Sequence, residues 1–400
     1  MDWCRPAYGS RSFDLLPGTI ERLLTGETDR PVLEAGVLDG IGAERFERVV
    51  FVYLDAFGWR FVEAHGDHPL LERARAGGVL AKLTSQFPST TAAHVTTIHS
   101  GLPVGEHGVY EWHVYEPLLD RMITPLLYSY AGDRERGTLA LPATDVFPAE
   151  TLYMRLAEAG VAAHVVHPAV HAETPPNAVF ARVATPLPFE RLEQGLAALS
   201  DALATPGYGM IYLDDIDTLC HRVGPDDPAV AAAVDATLTL LDRTLFGGEF
   251  PPGTLVLLSA DHGMLPVDPA GTLYVNRLWP GIAEHLRHGA DGKPLAPGGS
   301  CRDLFLYARD GSVDEVVGRL GEALEGRAEV HAVSELLDDG IFGARPSERL
   351  LQRLGNVLVL PNVGEAVYWF EAGRFEQRLR GQHGGLSPQE MEIPLLALVT

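Results

Sequence analysis

Arg48-Val49-Val50-Phe51-Val52-Tyr53-Leu54-Asp55 is the stretch on which the fold turns. After the arginine the run is apolar throughout and rich in β-branched residues. A continuous apolar run of this length, as opposed to an alternating one, predicts a strand buried on both faces, and such strands belong to parallel sheets covered by helices. The run stops at an aspartate. A carboxylate at a strand end is either a turn former or, outside the carboxyl edge of an α/β sheet, a site residue.

The same pattern recurs outward from this strand. Val161 to Val166, Gly209 to Leu213 and Thr254 to Ser259 read as further buried strands. Helical patterns at Phe61 to Gly77, Ala149 to Ala159, Phe189 to Ala204 and Pro228 to Leu245 lie between them. Strands alternating with helices predict an α/β fold, with a mostly parallel central sheet flanked by helices on both faces. Val79 to Leu83 and the tail from Met391 to Val399 add strands, and Pro394 places the tail at a sheet edge. Residues 114–148 carry several prolines and glycines and read as an irregular excursion.

Residues 1–44, with a short helix over Asp14 to Leu24, are expected to form an N-terminal arm packed on the core. Residues 45–271 and 356–400 form the catalytic core in this reading, with Asn356 to Leu360 and Ala366 to Trp369 as strands returning to it. Residues 272–355 are expected to be a small inserted α+β subdomain, either a lid or a packed appendage.

A chain of 400 residues that is 46% hydrophobic and 21% charged is globular and long enough for a large core. Its net charge of −23 argues against a nucleic-acid surface, because phosphate backbones recruit lysine and arginine. A small phosphorylated substrate stays possible, since metal ions supply local positive charge. Cys4, Cys220 and Cys301 are too few and too scattered for a disulfide framework or a cysteine zinc site. No basic segment followed by an apolar core opens the chain, and no apolar run is long enough to span a bilayer, so the expected location is cytoplasmic.

Candidate ligands collect at the strand ends. Asp55 follows the first strand; Asp217 and His221 follow Leu213, spaced i and i+4, which puts both on one helix face. Asp261 and His262 follow Ser259, and His383 sits between glycines near the C-terminus. Alone, each is an ordinary cap, turn former or solvated histidine. Together they make an oxygen and nitrogen donor set suited to two divalent metal ions with open positions, zinc first and manganese as the alternative. The stretch Phe87-Pro88-Ser89-Thr90-Thr91-Ala92-Ala93-His94 then gains a second meaning. Its threonines suit a helix N-cap, and a hydroxyl there can also serve as a nucleophile.

With those residues in view, the sequence resembles the alkaline phosphatase superfamily, and within it the nucleotide pyrophosphatase/phosphodiesterase branch. The likeness rests on Asp55, Thr90-Thr91, Tyr212 to Pro225, Ser259 to Met264 and the His383 turn, in that order along the chain. It implies that Asp217, His221 and His383 hold one zinc and that Asp55, Asp261 and His262 hold the other. It implies Thr91, by position between Pro88 and Gly101, as a nucleophile forming a phosphothreonine-type intermediate. The branch carries an asparagine three residues after its threonine, where it holds a phosphoryl oxygen; here that position is His94. His94 is therefore a candidate substrate contact, and the departure leaves phosphomonoester and phosphonate hydrolysis open beside phosphodiester and nucleotide pyrophosphate cleavage. A sulfatase is disfavoured, because that group's modified cysteine or serine nucleophile motif is missing.

Trp112 and Tyr115 lie just downstream of the threonine loop and can stack on a base or aromatic leaving group, although aromatics more often serve burial. His107 and His113 read as solvated. A reading of another class, a protein that keeps metals for structure alone, is disfavoured because no ligand position is missing and a threonine stands beside them.

Overall fold

The computed structural model describes residues 3–133 and 135–400; Met1 and Asp2 of the expected arm, and Arg134, lie outside the described residues. The central sheet has seven strands: β1 (Arg48–Leu54), β2 (Val79–Thr84), β3 (Ala162–Pro168), β4 (Thr185–Phe189), β5 (Gly207–Leu213), β6 (Leu255–Ser259) and β7 (Glu392–Val399). Their order across the sheet is β2-β7-β6-β1-β5-β3-β4. From β6 to β4 every neighbouring pair is parallel, while β7 runs antiparallel to both β6 and β2. Every residue from Val49 to Leu54 is essentially inaccessible, as a strand covered on both faces requires. The register sets Leu54 opposite Leu213 and Tyr53 opposite Ser259, so β1, β5 and β6 end abreast. That alignment is what assembles the site.

Several sequence expectations change. The tail strand is interior, not an edge: Pro394 lies one residue before the ladder with β6 begins at Leu395, and its carbonyl accepts from the Ser259 hydroxyl at 2.7 Å. The missing N–H therefore falls outside that ladder. The edges are β2 and β4, and β4, Thr185-Pro186-Leu187-Pro188-Phe189, carries two prolines that hide it from a strand pattern and suit the margin of a sheet. The single helix expected over Phe61 to Gly77 is two, Trp59–Ala64 and Pro69–Gly77, because Pro69 starts a new helix at its first position and the His68 ring accepts from Leu70 N.

Val357–Pro361 does not return to the core sheet. It is the middle strand of a small antiparallel sheet, between Leu304–Leu306 and Ala328–Ala332. The excursion contains an antiparallel meander, Val114–Glu116, Arg121–Thr124 and Ser129–Tyr130. The N-terminal segment is part of the main core: Phe13, Leu16 and Ile20 are fully buried in the same cluster as β1. No helix of the described residues is long and apolar enough to cross a membrane.

Candidate functional site

The three strands that end abreast deliver three carboxylates to one point. Asp55 N donates to Leu213 O at 2.9 Å, which fastens the end of β1 to the end of β5. The next residue, Ala56, turns through φ 62° and donates its N–H to Asp261 Oδ1 at 3.1 Å. A non-glycine residue in the left-handed region is uncommon, and here the turn brings an N–H onto a carboxylate from β6. Asp217 and His221 lie on one face of the Asp215–Val223 helix, with Oδ1 and Nε2 3.3 Å apart. Gly381 lets the chain carrying His383 lie against that helix: a Cβ at Gly381 would stand 2.5 Å from Cys220 O.

The three histidines share one arrangement. Nδ1 of His221, His262 and His383 lies 2.8, 2.9 and 2.9 Å from Gly381 O, Gly263 O and Ser89 O. Each Nδ1–H donates to a carbonyl, which leaves the Nε2 lone pair as the free donor atom, the orientation that metal-binding imidazoles adopt. Asp55 Oδ1, Asp217 Oδ1 and Asp261 Oδ2 are buried and accept no hydrogen bond. The other oxygen of Asp55 accepts from Tyr212 Oη at 2.5 Å, and Asp261 Oδ1 accepts from His262 N at 3.0 Å. Unsatisfied buried carboxylate oxygens are costly, and convergent ones facing imidazole lone pairs fit divalent cations.

Ligand atoms come together as Asp55, Asp261 and His262, and as Asp217, His262 and His383. The first set coincides with the grouping expected from sequence. In the second, His262 stands where His221 was expected, and His221 stands beside the group, with Nε2 3.3 Å from Asp217 Oδ1 and its ring centroid 5.2 Å from that of His383. The His262 and His383 rings stack with centroids 3.6 Å apart, so His262 lies between the two groups.

The electrostatics ask for positive charge. Burial, then the neighbouring Asp261 and Asp217 carboxylates, hold Asp55 well above the usual carboxylate range. Burial also raises Asp217, against the pull of His221 and His262. Burial would raise Asp261 as well, but His262 and the surrounding donors outweigh it and hold it well below its ordinary value. Burial would lower His262, yet the Asp261 carboxylate wins and lifts it. Burial and the adjacent His262 and His221 push His383 far down, so it stays neutral.

Thr90 and Thr91 are separated by their surroundings. Thr90 occupies the N-cap of the Thr91–Ser100 helix without a side-chain capping bond; its hydroxyl donates to Tyr110 O at 3.0 Å. Thr91 is the first helical residue, and its hydroxyl stands 3.2 Å from His262 Nε2. Both face a cavity of about 680 Å³ whose wall also includes Asp55, Asp217, His221, His383, Glu111 and Trp112. The first N–H groups of a helix lack intrahelical partners and favour an anion at that point.

His94 does not reach the cavity, so its expected contact with a phosphoryl oxygen is withdrawn. It is fully buried, with Nδ1 2.8 Å from Thr90 O and Nε2 2.9 Å from both Gln86 N and Ser85 Oγ. Three residues on from Thr91, the ring turns inward to hold the loop, and burial keeps it neutral with a pKa lowered to about 4. Tyr115 is likewise withdrawn: it is buried against Tyr307 and Arg287, and its hydroxyl donates to Asp120 Oδ1 at 2.6 Å. Trp112 is on the cavity wall and 41% exposed. His107 and His113, expected in solvent, are buried, and His107 Nε2 lies 3.0 Å from Thr97 Oγ1.

Three wall features carried no signal that local sequence reading uses. The Tyr212 hydroxyl steadies Asp55. His171 Nε2 lies 2.9 Å from Asp214 Oδ2, a pairing across 43 positions. Glu111 follows the tyrosine whose carbonyl holds Thr90.

The sequence model of the type I phosphodiesterase / nucleotide pyrophosphatase family matches residues 49–386. The chain belongs to this family. No curated protein matches it in sequence. Among solved structures, murine ectonucleotide pyrophosphatase / phosphodiesterase 5, as an inactive variant in complex with AMP, is 18% identical with a TM-score of 0.66 over 88% of this chain and 87% of that one. The human protein of the same name is 17% identical with a TM-score of 0.65, over 88% and 87% of the two chains. Phosphonoacetate hydrolase from Sinorhizobium meliloti 1021, in complex with phosphonoformate, is 20% identical with a TM-score of 0.62 over 91% and 94% of the two chains. These likenesses establish the alkaline phosphatase-like fold. Family membership marks a phosphoesterase of the alkaline phosphatase superfamily.

Proposed function

We propose that the protein is a two-metal hydrolase of phosphate esters, with phosphodiesters preferred, that works through a covalent intermediate on Thr91. One observation carries the reading: the Thr91 hydroxyl lies 3.2 Å from Nε2 of His262, the ring common to both candidate ligand groups. Asp55, Asp261 and His262 would hold one ion, and Asp217 and His383, with His221 beside them, the other. When bound, divalent ions supply the charge that favours a deprotonated hydroxyl and an anionic leaving oxygen.

This chain's residues supply the rest. Thr91 presents Oγ1 at a helix start, where unpaired N–H groups orient the phosphoryl oxygens. Its attack forms an Oγ1–P bond as the bond from phosphorus to the leaving alkoxide or phosphate breaks. Water then attacks phosphorus, and Thr91 departs with a proton. Trp112 on the cavity wall offers a face for a base or aromatic leaving group. The complexes of the structural neighbours with AMP and phosphonoformate support a small phosphorylated substrate.

Parallel assays with bis-p-nitrophenyl phosphate, p-nitrophenyl phosphate and a phenylphosphonate ester rank diesters, monoesters and phosphonates. The diester is expected first. Thr91→Ala is expected to abolish turnover while about two zinc ions per chain remain bound by metal analysis. Retained turnover in Thr91→Ala, or no bound metal after supplementation, rejects the mechanism.

A further inference from the structure

Next to the candidate ligands along the sheet edge stands a side-chain pair that the proposed reaction has not used. Strands β6, β1, β5 and β3 lie side by side in that order. Asp261 and His262 follow β6, Asp55 follows β1, Asp214 follows β5 and His171 lies three residues beyond β3. Asp214 and His171 both line the cavity that Thr91 faces, and His171 Nε2 lies 2.9 Å from Asp214 Oδ2. Their side chains are 31% and 27% exposed for His171 and Asp214, enough for each to meet a ligand.

Two local features mark the pair as a built one. Asp214 is the N-cap of the Asp215–Val223 helix, where an aspartate ordinarily accepts from the first helical N–H groups. It makes no capping bond and turns to His171 instead. A local preference set aside in this way is characteristic of functional positions. His171 is held from behind, because its carbonyl accepts from Thr174 Oγ1 at 3.1 Å and from Asn177 Nδ2 at 2.7 Å. A carboxylate only accepts, so the shared proton sits on Nε2 and a neutral ring keeps its lone pair on Nδ1. Among the described residues, His171 Nδ1 and Asp214 Oδ1 have no hydrogen-bond partner.

Distance decides between two roles. A carboxylate-bound imidazole with a free nitrogen also suits a general acid or base, which must come within about 3 Å of its proton or act through one water. Neighbouring strands are about 4.8 Å apart, so β3 stands about 10 Å from β1 and its Asp55. Tyr212 spans that gap: its hydroxyl donates to Asp55 Oδ2, and its ring centroid is 6.1 Å from that of His171. The pair therefore faces the part of a substrate that lies several bonds beyond the phosphoryl group. Nδ1 and Oδ1 both accept, and a second proton on the ring turns Nδ1 into a donor. A hydroxyl answers both states because it donates and accepts, whereas an ammonium group only donates. Thr174, Asn177 and Thr218 make the neighbouring wall polar and uncharged.

We propose that the His171–Asp214 pair selects substrates whose phosphoryl group is esterified to a hydroxyl-bearing group, a ribosyl or a glyceryl ester. Both residues set specificity and take no part in bond making or breaking. The inference rests on the phosphoryl-transfer reading above and names the substrate class of the same site.

The test uses two matched pairs of p-nitrophenyl diesters on the zinc-loaded full chain. One pair is the ester of uridine 5′-phosphate and its 2′,3′-dideoxy counterpart; the other is the ester of glycerol 1-phosphate and that of propyl phosphate. The p-nitrophenyl ester of phosphocholine adds a cationic arm. Wild type is expected to favour the hydroxylated member of one pair by about 10–100-fold in kcat/KM, chiefly through KM, as hydrogen bonds to a charged group allow. The uridine pair showing this identifies a ribosyl ester, and the glycerol pair a glyceryl ester. Asp214→Ala and His171→Leu are each expected to bring the ratio near one. Asp214→Asn and His171→Gln, closer in shape, are expected to fall between and carry the test if the larger changes do not fold. A purely structural role lowers both members of a pair alike and leaves their ratio unchanged.

A wild type that discriminates within neither pair overturns the proposal. So do variants that keep the wild-type ratio. A choline ester whose turnover depends on Asp214 more than that of either hydroxylated ester also overturns it, by marking a cation site. Any of these results beside activity on bis-p-nitrophenyl phosphate and an inactive Thr91→Ala leaves the hydrolase reading intact; a wild type inactive on every ester rejects that reading first, and this proposal with it.

Discussion

Replacing Arg302 with methionine should cost the fold about 3–5 kcal/mol and loosen the turn that carries His383. Arg302 and Glu390 are both buried, with Nε to Oε1 at 3.0 Å and Nη2 to Oε2 at 3.1 Å. Nη1 also donates to Asn362 O at 2.8 Å and Glu365 O at 2.6 Å. Methionine fills much of the volume but removes all four bonds, leaving a buried carboxylate and two carbonyls short of donors. Glu390 retains Gly385 N at 3.0 Å, Ser387 N at 3.3 Å and Ser387 Oγ at 2.6 Å, which tempers the loss; the orphaned carbonyls add to it. About 4 kcal/mol is the balance, within the range for breaking a buried pair.

The consequence reaches the site through that same turn. Gly385 O accepts from Ser89 Oγ at 2.8 Å, and Ser89 O in turn holds His383 Nδ1. Urea unfolding of wild type, Arg302→Met, Glu390→Leu and the double variant measures the coupling, and a competitive chelator titration measures zinc retention. The double variant should lose about 2–3 kcal/mol less than the sum of the singles, because removing both charges avoids stranding either. A cost below about 1 kcal/mol for Arg302→Met, or strict additivity, would refute the reasoning.

Three further outcomes follow from particular contacts. Thr90→Val should lower stability by about 1 kcal/mol and reduce kcat, since it frees the Tyr110 segment from the threonine turn; unchanged kcat in a stopped assay would argue against that coupling. Gly381→Ala should weaken zinc binding, because its Cβ would meet Cys220 O at 2.5 Å and drive the His383 strand from the His221 helix; calorimetric zinc titration reads the effect. Burial lowers His99 to about 3 and His113 to about 4, whereas each titrates near 6.5 when unfolded. In that window the unfolded chain binds more protons, so stability rises with pH, is complete above about 6.5 and is lost as pH falls through the folded values. Denaturation midpoints between pH 4 and 7 should show this slope, and His99→Asn should reduce it.

The likeness to the phosphodiesterase family could be read from residues whose roles are local. A buried strand announces itself by continuous apolar residues, as Val49 to Leu54 do, and an i, i+4 pair such as Asp217 and His221 shares a helix face wherever that helix lies. Chain order and strand ends collect Asp55, Asp217, Asp261 and His262, because parallel strands of similar length must finish along the same edge, while His383 stands out only by its glycine turn. What the sequence could not carry was direction and distant pairing. His94 and Thr91 sit three residues apart on one helix, yet only the packing of Ser85 and Gln86 against that ring turns it away from the cavity. The edge strand with two prolines and the interior position of β7 depend on partners from other elements. Periodicity and spacing report on a residue's own element; hydrogen-bond partners and burial, which decide whether a side chain is structural or free to act, belong to the tertiary fold.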